Sequence, residues 1–137
     1  MKRVKLTIYQ DEINKLVGKE FEIILNDGAT IIDAIIEVDK KINSKGQFPV
    51  KDYHSILHMV YNPIENKIYD HIIMAAFSES SESQPFINVK REPGLKLPEG
   101  IKVKILLKDT CGDIIKEKAI DYETFCRAML EKGYKIT

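Results

Sequence analysis

Three histidines are the side chains in this sequence best suited to hold a metal ion. His54 and His58 stand four positions apart, and His71 follows them. On a helix this spacing puts both rings on one face, whereas on a strand it leaves them about 13 Å apart, too far for one ion. Residues 54–61 fit either a strand or a short helix. We prefer the strand, which would form a hairpin with a second strand at 67–77. No His-Glu-x-x-His or Cys-x-x-Cys motif supports a site. We therefore predict that the protein binds no metal and no other cofactor. His54, His58 and His71 are the candidate ligands if a metal is bound.

Two cysteines are the candidates for a reactive thiol. Cys111 precedes Gly112 in a turn, and Lys108 is the one basic residue near it along the chain. Since a reactive cysteine needs a base or a helix N-terminus to lower its thiol pKa, Cys111 is interpreted as an ordinary turn residue. Cys126 falls on the apolar side of a predicted helix and is assigned to the core. Two cysteines indicate reduced thiols in a cytoplasmic protein, and a bridge between them stays open.

Three lysines share one side of a strand that begins at Ile101. Lys102, Lys104 and Lys108 alternate there with apolar residues, which is typical of the solvated face of an antiparallel sheet. The alternative is a basic docking face for an acidic partner. Glycine-rich phosphate loops and a nucleophile elbow are missing from the sequence. We therefore predict no catalytic residues and a protein that is not an enzyme.

Composition and charge narrow the class of protein further. The chain has 137 residues, of which 44% are apolar and 31% charged, as in one soluble domain. Its 21 basic and 21 acidic residues cancel, which argues against a nucleic-acid partner. No apolar run approaches the roughly 20 residues that cross a bilayer, and no signal peptide is apparent, so we expect a cytoplasmic protein without a membrane partner. Its Ile-rich and Lys-rich composition is typical of a heat-adapted source or an AT-rich genome.

The first third of the chain predicts a strand hairpin followed by a helix. Val4–Ile8 and Phe21–Leu25 alternate with period two and form an antiparallel pair, joined by a polar turn or irregular crossing at 10–15. Thr30 then stands at a helix N-cap with Asp33 completing a capping box. Apolar residues at helical spacing extend this helix from Ile31 to about Asn43.

The remaining elements are predicted from shorter signals. We expect a strand at 67–77, a loop at 78–84, a brief strand at 85–89, a strand from Ile101 to Leu107, a turn at 109–113 and a strand at 114–120. Asp121 caps a last helix that Gly133 ends, with an apolar stripe at Tyr122, Phe125, Cys126, Met129 and Leu130. This helix folds back onto its own chain or is exchanged between two copies, so the protein is a monomer or a homodimer.

The order of these elements resembles the β-grasp, or ubiquitin-like, fold. The segment Asp27-Gly28-Ala29-Thr30, which leads into the helix, and the segment 98–103 more narrowly resemble the small subunit of molybdopterin synthase and the thiamine-biosynthesis sulfur carrier. The resemblance implies an α+β fold with one packing helix, whose first and last core strands are parallel neighbours. The chain departs from the family pattern by an extra central hairpin and a C-terminal helical extension. We therefore expect one domain with a core at 1–43 and 97–108, an insertion at 44–96 and an extension at 109–137.

The sequence departs from the sulfur carriers at the position of their functional tail. Those carriers end in Gly-Gly, whose carboxylate is adenylated and converted to a thiocarboxylate. Here the corresponding position has Gly112 alone, and a helix is predicted beyond it. We therefore predict a non-catalytic protein-binding or accessory module with another protein as its partner. The alternative is a sulfur carrier in a molybdopterin, thiamine or tRNA-thiolation pathway, which requires processing after Gly112.

Overall fold

The computed structural model describes residues 1–78, 81–85, 88–107 and 119–134. Within these ranges, no helix is long and apolar enough to cross a membrane. The described residues contain seven strands and four helices, in this order: β1 (Lys2–Tyr9), α1 (Asp11–Val17), β2 (Glu20–Leu25), α2 (Ile31–Asn43), α3 (Ile56–Val60), β3 (Tyr61–Asn62), β4 (Lys67–Ile68), β5 (Ile73–Ser78), β6 (Ser81–Pro85), β7 (Ile101–Leu106) and α4 (Tyr122–Glu131).

Five of the strands form a mixed sheet in the order β2-β1-β7-β5-β6. The β1 strand pairs antiparallel with β2 and parallel with β7, so that Leu6 lies opposite both Phe21 and Val103. The β5 strand pairs antiparallel with β7 and with β6. The predicted parallel pairing of the first and last core strands is confirmed.

One face of this sheet is buried under α2. The inward side chains of β1 and β7 are almost completely inaccessible to solvent, as are Ile31, Ile35, Val38 and Ile42 along one side of α2. The predicted capping box starts α2: the side chain of Thr30 accepts from the backbone N–H of Asp33, and the Asp33 carboxylate accepts from that of Thr30 at 2.8 Å. A mixed five-stranded sheet with parallel central strands and this packing helix is the β-grasp fold.

The crossing between β1 and β2 is a helix, where the sequence predicted a turn or irregular segment. Gln10 caps α1, since its side-chain oxygen accepts from the backbone N–H of Ile13 at 2.8 Å. Ile13 is fully buried, whereas most other side chains of α1 point to solvent. One buried side chain in seven residues is too weak a periodic signal to predict a helix.

The prediction of a strand at 54–61 is wrong, because residues 56–60 form α3. Ser55 caps this helix by accepting from the backbone N–H of His58. The Asp39 carboxylate of α2 caps it a second time, accepting from the N–H groups of Ile56 at 2.7 Å and Leu57 at 3.1 Å. A partner from another helix therefore decides the conformation of a segment whose own pattern is ambiguous.

Two further predictions in the middle of the chain are corrected. The expected strand at 67–77 is divided into β4, which pairs with β3 in a small hairpin, and β5, which joins the main sheet. The serine-rich segment predicted as a loop contains β6, which pairs with β5, and this strand ends at Pro85 instead of starting there. The hairpin of β5 and β6 therefore extends the main sheet beyond β7.

The C-terminal helix is present as predicted and folds back onto its own chain. Asp121 caps α4 by accepting from the backbone N–H of Thr124 at 3.0 Å, and Gly133 follows it with a φ of 92°. Phe125 and Met129 are fully buried, but Leu130 is 61% exposed and does not belong to the buried stripe. The predicted turn at 109–113 and most of the strand predicted at 114–120 lie outside the described residues.

Candidate functional site

The outward side of the main sheet, here called the open face, contrasts with the buried inward side. We define it by the outward side chains of β1, β2, β5 and β7. Each of them is exposed or half-buried, whereas the inward side chains of the two central strands are buried. The strand register arranges the open face in rows that cross the sheet.

One row of the open face is apolar. Leu106 lies opposite Tyr9 on one side and Ile73 on the other. Ile73 is 54% exposed, and Tyr9 and Leu106 are half-buried. The ammonium group of Lys19 lies 5.8 Å from the centre of the Tyr9 ring, so a positive charge borders the row at its β1 end.

The next two rows carry the lysines that the sequence singled out. Lys104 lies between Thr7 and Ala75, and its ammonium group is 5.9 Å from the centre of the Phe77 ring. Lys102 lies between Lys5 and Phe77 in the row beyond. The structure therefore brings Lys102 and Lys104 together on the open face. Lys108 lies outside the described residues.

The acidic residues of the open face are confined to β2. Glu22 is opposite Lys5, and Glu20 is opposite Thr7. Glu22 forms an ion pair with Arg3 at 2.9 Å. The positive charge of the open face is thus concentrated over the central strands, next to the apolar row.

His54 and His58 lie at α3, beside Tyr122 of α4. The rings of His54 and His58 are 5.7 Å apart, and the His54 ring stacks on Tyr122 at 4.0 Å. The expected separation of about 13 Å is wrong because α3 is a helix and not a strand. The His71 ring stacks on Tyr69 instead. In the described ranges, no group of three or more His, Cys, Asp or Glu side chains is arranged to hold a metal ion.

Both ring nitrogens of His58 contact main-chain groups. Its Nε2 lies 2.7 Å from the carbonyl oxygen of Ile120, and its Nδ1 lies 3.4 Å from the backbone nitrogen of His54. Since a carbonyl only accepts and an N–H only donates, Nε2 carries the proton and Nδ1 accepts. Burial lowers the pKa of His58, against the Ile120 carbonyl, which raises it. His58 therefore joins α3 to the start of α4 as a neutral ring.

A buried carboxyl group lies close to this cluster and was not singled out from the sequence. Asp39 projects from α2 toward α3, and its burial raises the pKa of the carboxyl group to about 7 in spite of its two N–H donors. An acidic residue near the end of an amphipathic helix gives no sign of being turned inward. The signal that was available is its position, since Val38 and Ile42 place Asp39 at the border of the buried side.

Cys126 is half-buried and free. Cys111 and Gly112 lie outside the described residues. Sequence reasoning missed the apolar row, although Leu106 interrupts the alternation of lysines at an outward position and was a visible signal.

Comparisons with known proteins identify one similar solved structure and no matching family. No protein-family model matches the sequence, and no curated protein does. Among solved structures, the crystal structure of H. volcanii small archaeal modifier protein 1 is similar, with a TM-score of 0.41 and 13% sequence identity. The similarity covers 77% of this chain and 97% of that one.

Proposed function

We propose that this β-grasp protein is a non-catalytic binding module that docks another protein on its open face. The observation that carries the proposal is the apolar row of Tyr9, Leu106 and Ile73 next to Lys102 and Lys104. The partner this surface fits presents an apolar centre beside acidic side chains. The apolar row forms the desolvated centre of such an interface, and the lysines orient the partner and accelerate its association.

Site-specific photo-crosslinking in cells of the native source tests this proposal. A photoreactive amino acid replaces Ile73 on the open face or, as the control, Leu130 on α4. The two side chains are matched, because both are apolar and are 54% and 61% exposed. We expect a discrete adduct with another protein at position 73 and none at position 130.

A charge-reversed variant shows whether the lysines contribute. Lys102→Glu combined with Lys104→Glu should abolish the adduct at position 73 and leave the thermal unfolding midpoint nearly unchanged, since the changes fall on the solvated face. Equal crosslinking at positions 73 and 130, or crosslinking that survives charge reversal, contradicts the proposal.

The second candidate function is a sulfur carrier released by cleavage after Gly112. It is favoured by the helix N-terminus at residues 27–35, which has the capping box of the pattern shared with those carriers. Against it, a chain that ends at Gly112 lacks Phe125 and Met129, which are fully buried in the core. Removing two such side chains exposes apolar surface on the remaining protein and favours aggregation.

Intact mass of the protein isolated from its native source separates the two functions. We expect a mass that includes α4. A species ending at Gly112, or one whose mass shows that a sulfur atom has replaced an oxygen of that terminal carboxylate, supports the carrier and contradicts the binding module.

A further inference from the structure

The outer edge of β2 presents backbone groups in a regular pattern. In the part of the chain that the structure describes, β2 is the last strand on its side of the sheet. The backbone N–H of Ile8 donates to the carbonyl of Lys19 at 2.8 Å, which fixes the alternation of hydrogen-bonded pairs between β1 and β2. It follows that Glu20, Glu22 and Ile24 turn their own N–H and C=O groups away from β1, toward the edge.

A groove of about 580 Å³ runs beside this edge, between β2, the end of α1 and the end of α2. Its apolar lining includes Leu16, Val17 and Phe21. Lys41 and Lys45 stand on the α2 side, and Glu20 and Glu22 of β2, whose side chains belong to the open face, line the groove on the other side. Leu16 and Ile24 are both exposed, so apolar surface is available on each side of the edge. A strand added to β2 would place every second side chain in this groove.

One of the carbonyl oxygens at this edge already accepts a hydrogen bond from Lys41. Its ammonium group donates to the carbonyl oxygen of Glu22 at 3.4 Å, which is a long and solvent-exposed hydrogen bond. A lysine at a sheet edge also protects against unwanted strand pairing. A backbone N–H from an added strand makes a better-aligned bond to the same oxygen and displaces the ammonium group.

We propose that the β2 edge and this groove, together the edge site, bind an extended peptide segment of a partner protein by strand addition. The segment runs antiparallel to β2, with apolar side chains in the groove followed by a carboxylate. A backbone N–H of the segment replaces the Lys41 ammonium group at the Glu22 carbonyl. The released Lys41, together with Lys45, then pairs with the carboxylate of the segment. Charge complementarity with these two lysines selects an acidic segment over a basic one.

A second copy of the same chain fits the edge site poorly. Antiparallel pairing of two β2 strands about their centre places Glu22 of one copy opposite Glu22 of the other, and like charges in this position are destabilising. The edge site is also separate from the open face, since its binding groups are backbone atoms and lysines of α2. The inference therefore does not rest on the proposed function.

The test uses acetyl-Lys-Ile-Thr-Val-Thr-Asp-amide, whose Ile, Val and Asp fall on one side of a strand. We expect this peptide to bind the full chain, with NMR shift changes at residues 20–25 and 41–45. N-methylation of its first threonine, whose N–H faces β2, should abolish binding, whereas N-methylation of its valine, whose N–H faces away, should leave it. Replacing its aspartate by lysine should weaken binding about tenfold.

Variants of the protein complete the test. Lys41→Glu combined with Lys45→Glu should weaken binding of the peptide about tenfold, and Lys132→Glu, an exposed charge reversal near the end of α4, should not. Lys102→Glu with Lys104→Glu should also leave peptide binding unchanged, which distinguishes the edge site from the open face. The proposal is overturned if the peptide does not bind, or if both N-methylated peptides bind as well as the unmodified one.

Discussion

Two regions of the molecule hold together by different means. The sheet and α2 meet through apolar side chains of a single class, most of them isoleucine, valine and leucine with no exposed surface. The region where α3 meets α4, here called the α3–α4 junction, combines buried Phe125 with His58, Tyr122 and the nearby Asp39. The first interface is formed by side chains that do not ionise. The second contains two groups with shifted pKa values, His58 and Asp39.

Because of this difference, the two regions respond differently to a change in pH. Apolar burial is nearly independent of pH, so the sheet and α2 give a constant contribution to stability. At the α3–α4 junction, stability depends on the protonation of His58 and Asp39, whose pKa values are shifted in opposite directions. The four predictions below test this contrast, starting with the largest effect.

Replacing Ile35 by Asp should unfold the protein. Ile35 is fully buried between α2 and the sheet, and an unpaired carboxylate there costs more than about 4 kcal/mol of unfolding free energy. Ile24→Asp is the matched control, because Ile24 lies on the open face with 62% of its surface exposed. Circular dichroism and a urea titration should show an unfolded Ile35 variant and a folded control. A folded Ile35→Asp protein contradicts the assignment of the core.

Replacing Phe125 by Ala should destabilise the protein by about 3–5 kcal/mol, because it leaves a cavity at the α3–α4 junction. Leu130→Ala on the same helix is the control and should change the unfolding free energy by less than about 0.5 kcal/mol. Urea unfolding measures both. If Phe125→Ala is as mild as the control, α4 is an appendage and the junction contributes nothing to the core.

The same two regions mark how far sequence reasoning reached. The helix at 31–43 was predicted because strict apolar periodicity encodes a surface that must be buried on one side, and its capping box was predicted from the spacing of Thr30 and Asp33. The pairing of β1 with β7 was predicted only through the resemblance to the β-grasp fold. At the α3–α4 junction the decisive contacts join distant residues. His58 binds Ile120, which is 62 positions away, and Asp39 caps a helix 17 positions away. No local pattern contains such contacts.

The candidate surfaces were predictable to a similar degree. The lysines at 102 and 104 share a face because a strand has period two, and this needs only the sequence. Their position next to Lys5 and Phe77 depends on which strands flank β7, and the sequence does not specify this locally. The β6 strand was missed since its pairing with β5 uses backbone groups, whereas its polar side chains resemble a loop.

Replacing Asp39 by Asn should have a smaller effect that depends on pH. The pKa of Asp39 is about 7 in the folded protein and near 3.8 when unfolded, so the folded state binds more protons between these values. Stability from this group therefore falls as pH rises from about 4 to about 7. The Asn variant loses one acceptor and should be about 1–2 kcal/mol less stable at pH 5.

The comparison of urea midpoints at pH 5 and pH 8 measures this prediction. The deficit of the Asn variant should disappear or change sign at pH 8, because the native protein must then hold an ionised Asp39 carboxylate in its interior and the variant does not. Asp33→Asn, in the capping box of the same helix, is the control. A destabilisation of Asp39→Asn that grows with pH contradicts the direction of the shift.

The smallest expected effect is the pH dependence that His58 contributes. Burial lowers its folded pKa below the ordinary 6.5, so the unfolded state binds more protons between the two values and stability falls as pH drops through that window. The loss is modest because Nε2 donates to the carbonyl of Ile120 in both protonation states. Only Nδ1 becomes unfavourable, because after protonation its N–H faces the backbone N–H of His54. His58→Gln, whose amide also donates, should therefore lose less stability than the native protein between pH 7 and pH 5, as measured by urea midpoints. A His58→Gln variant that keeps the full native pH dependence would contradict this assignment.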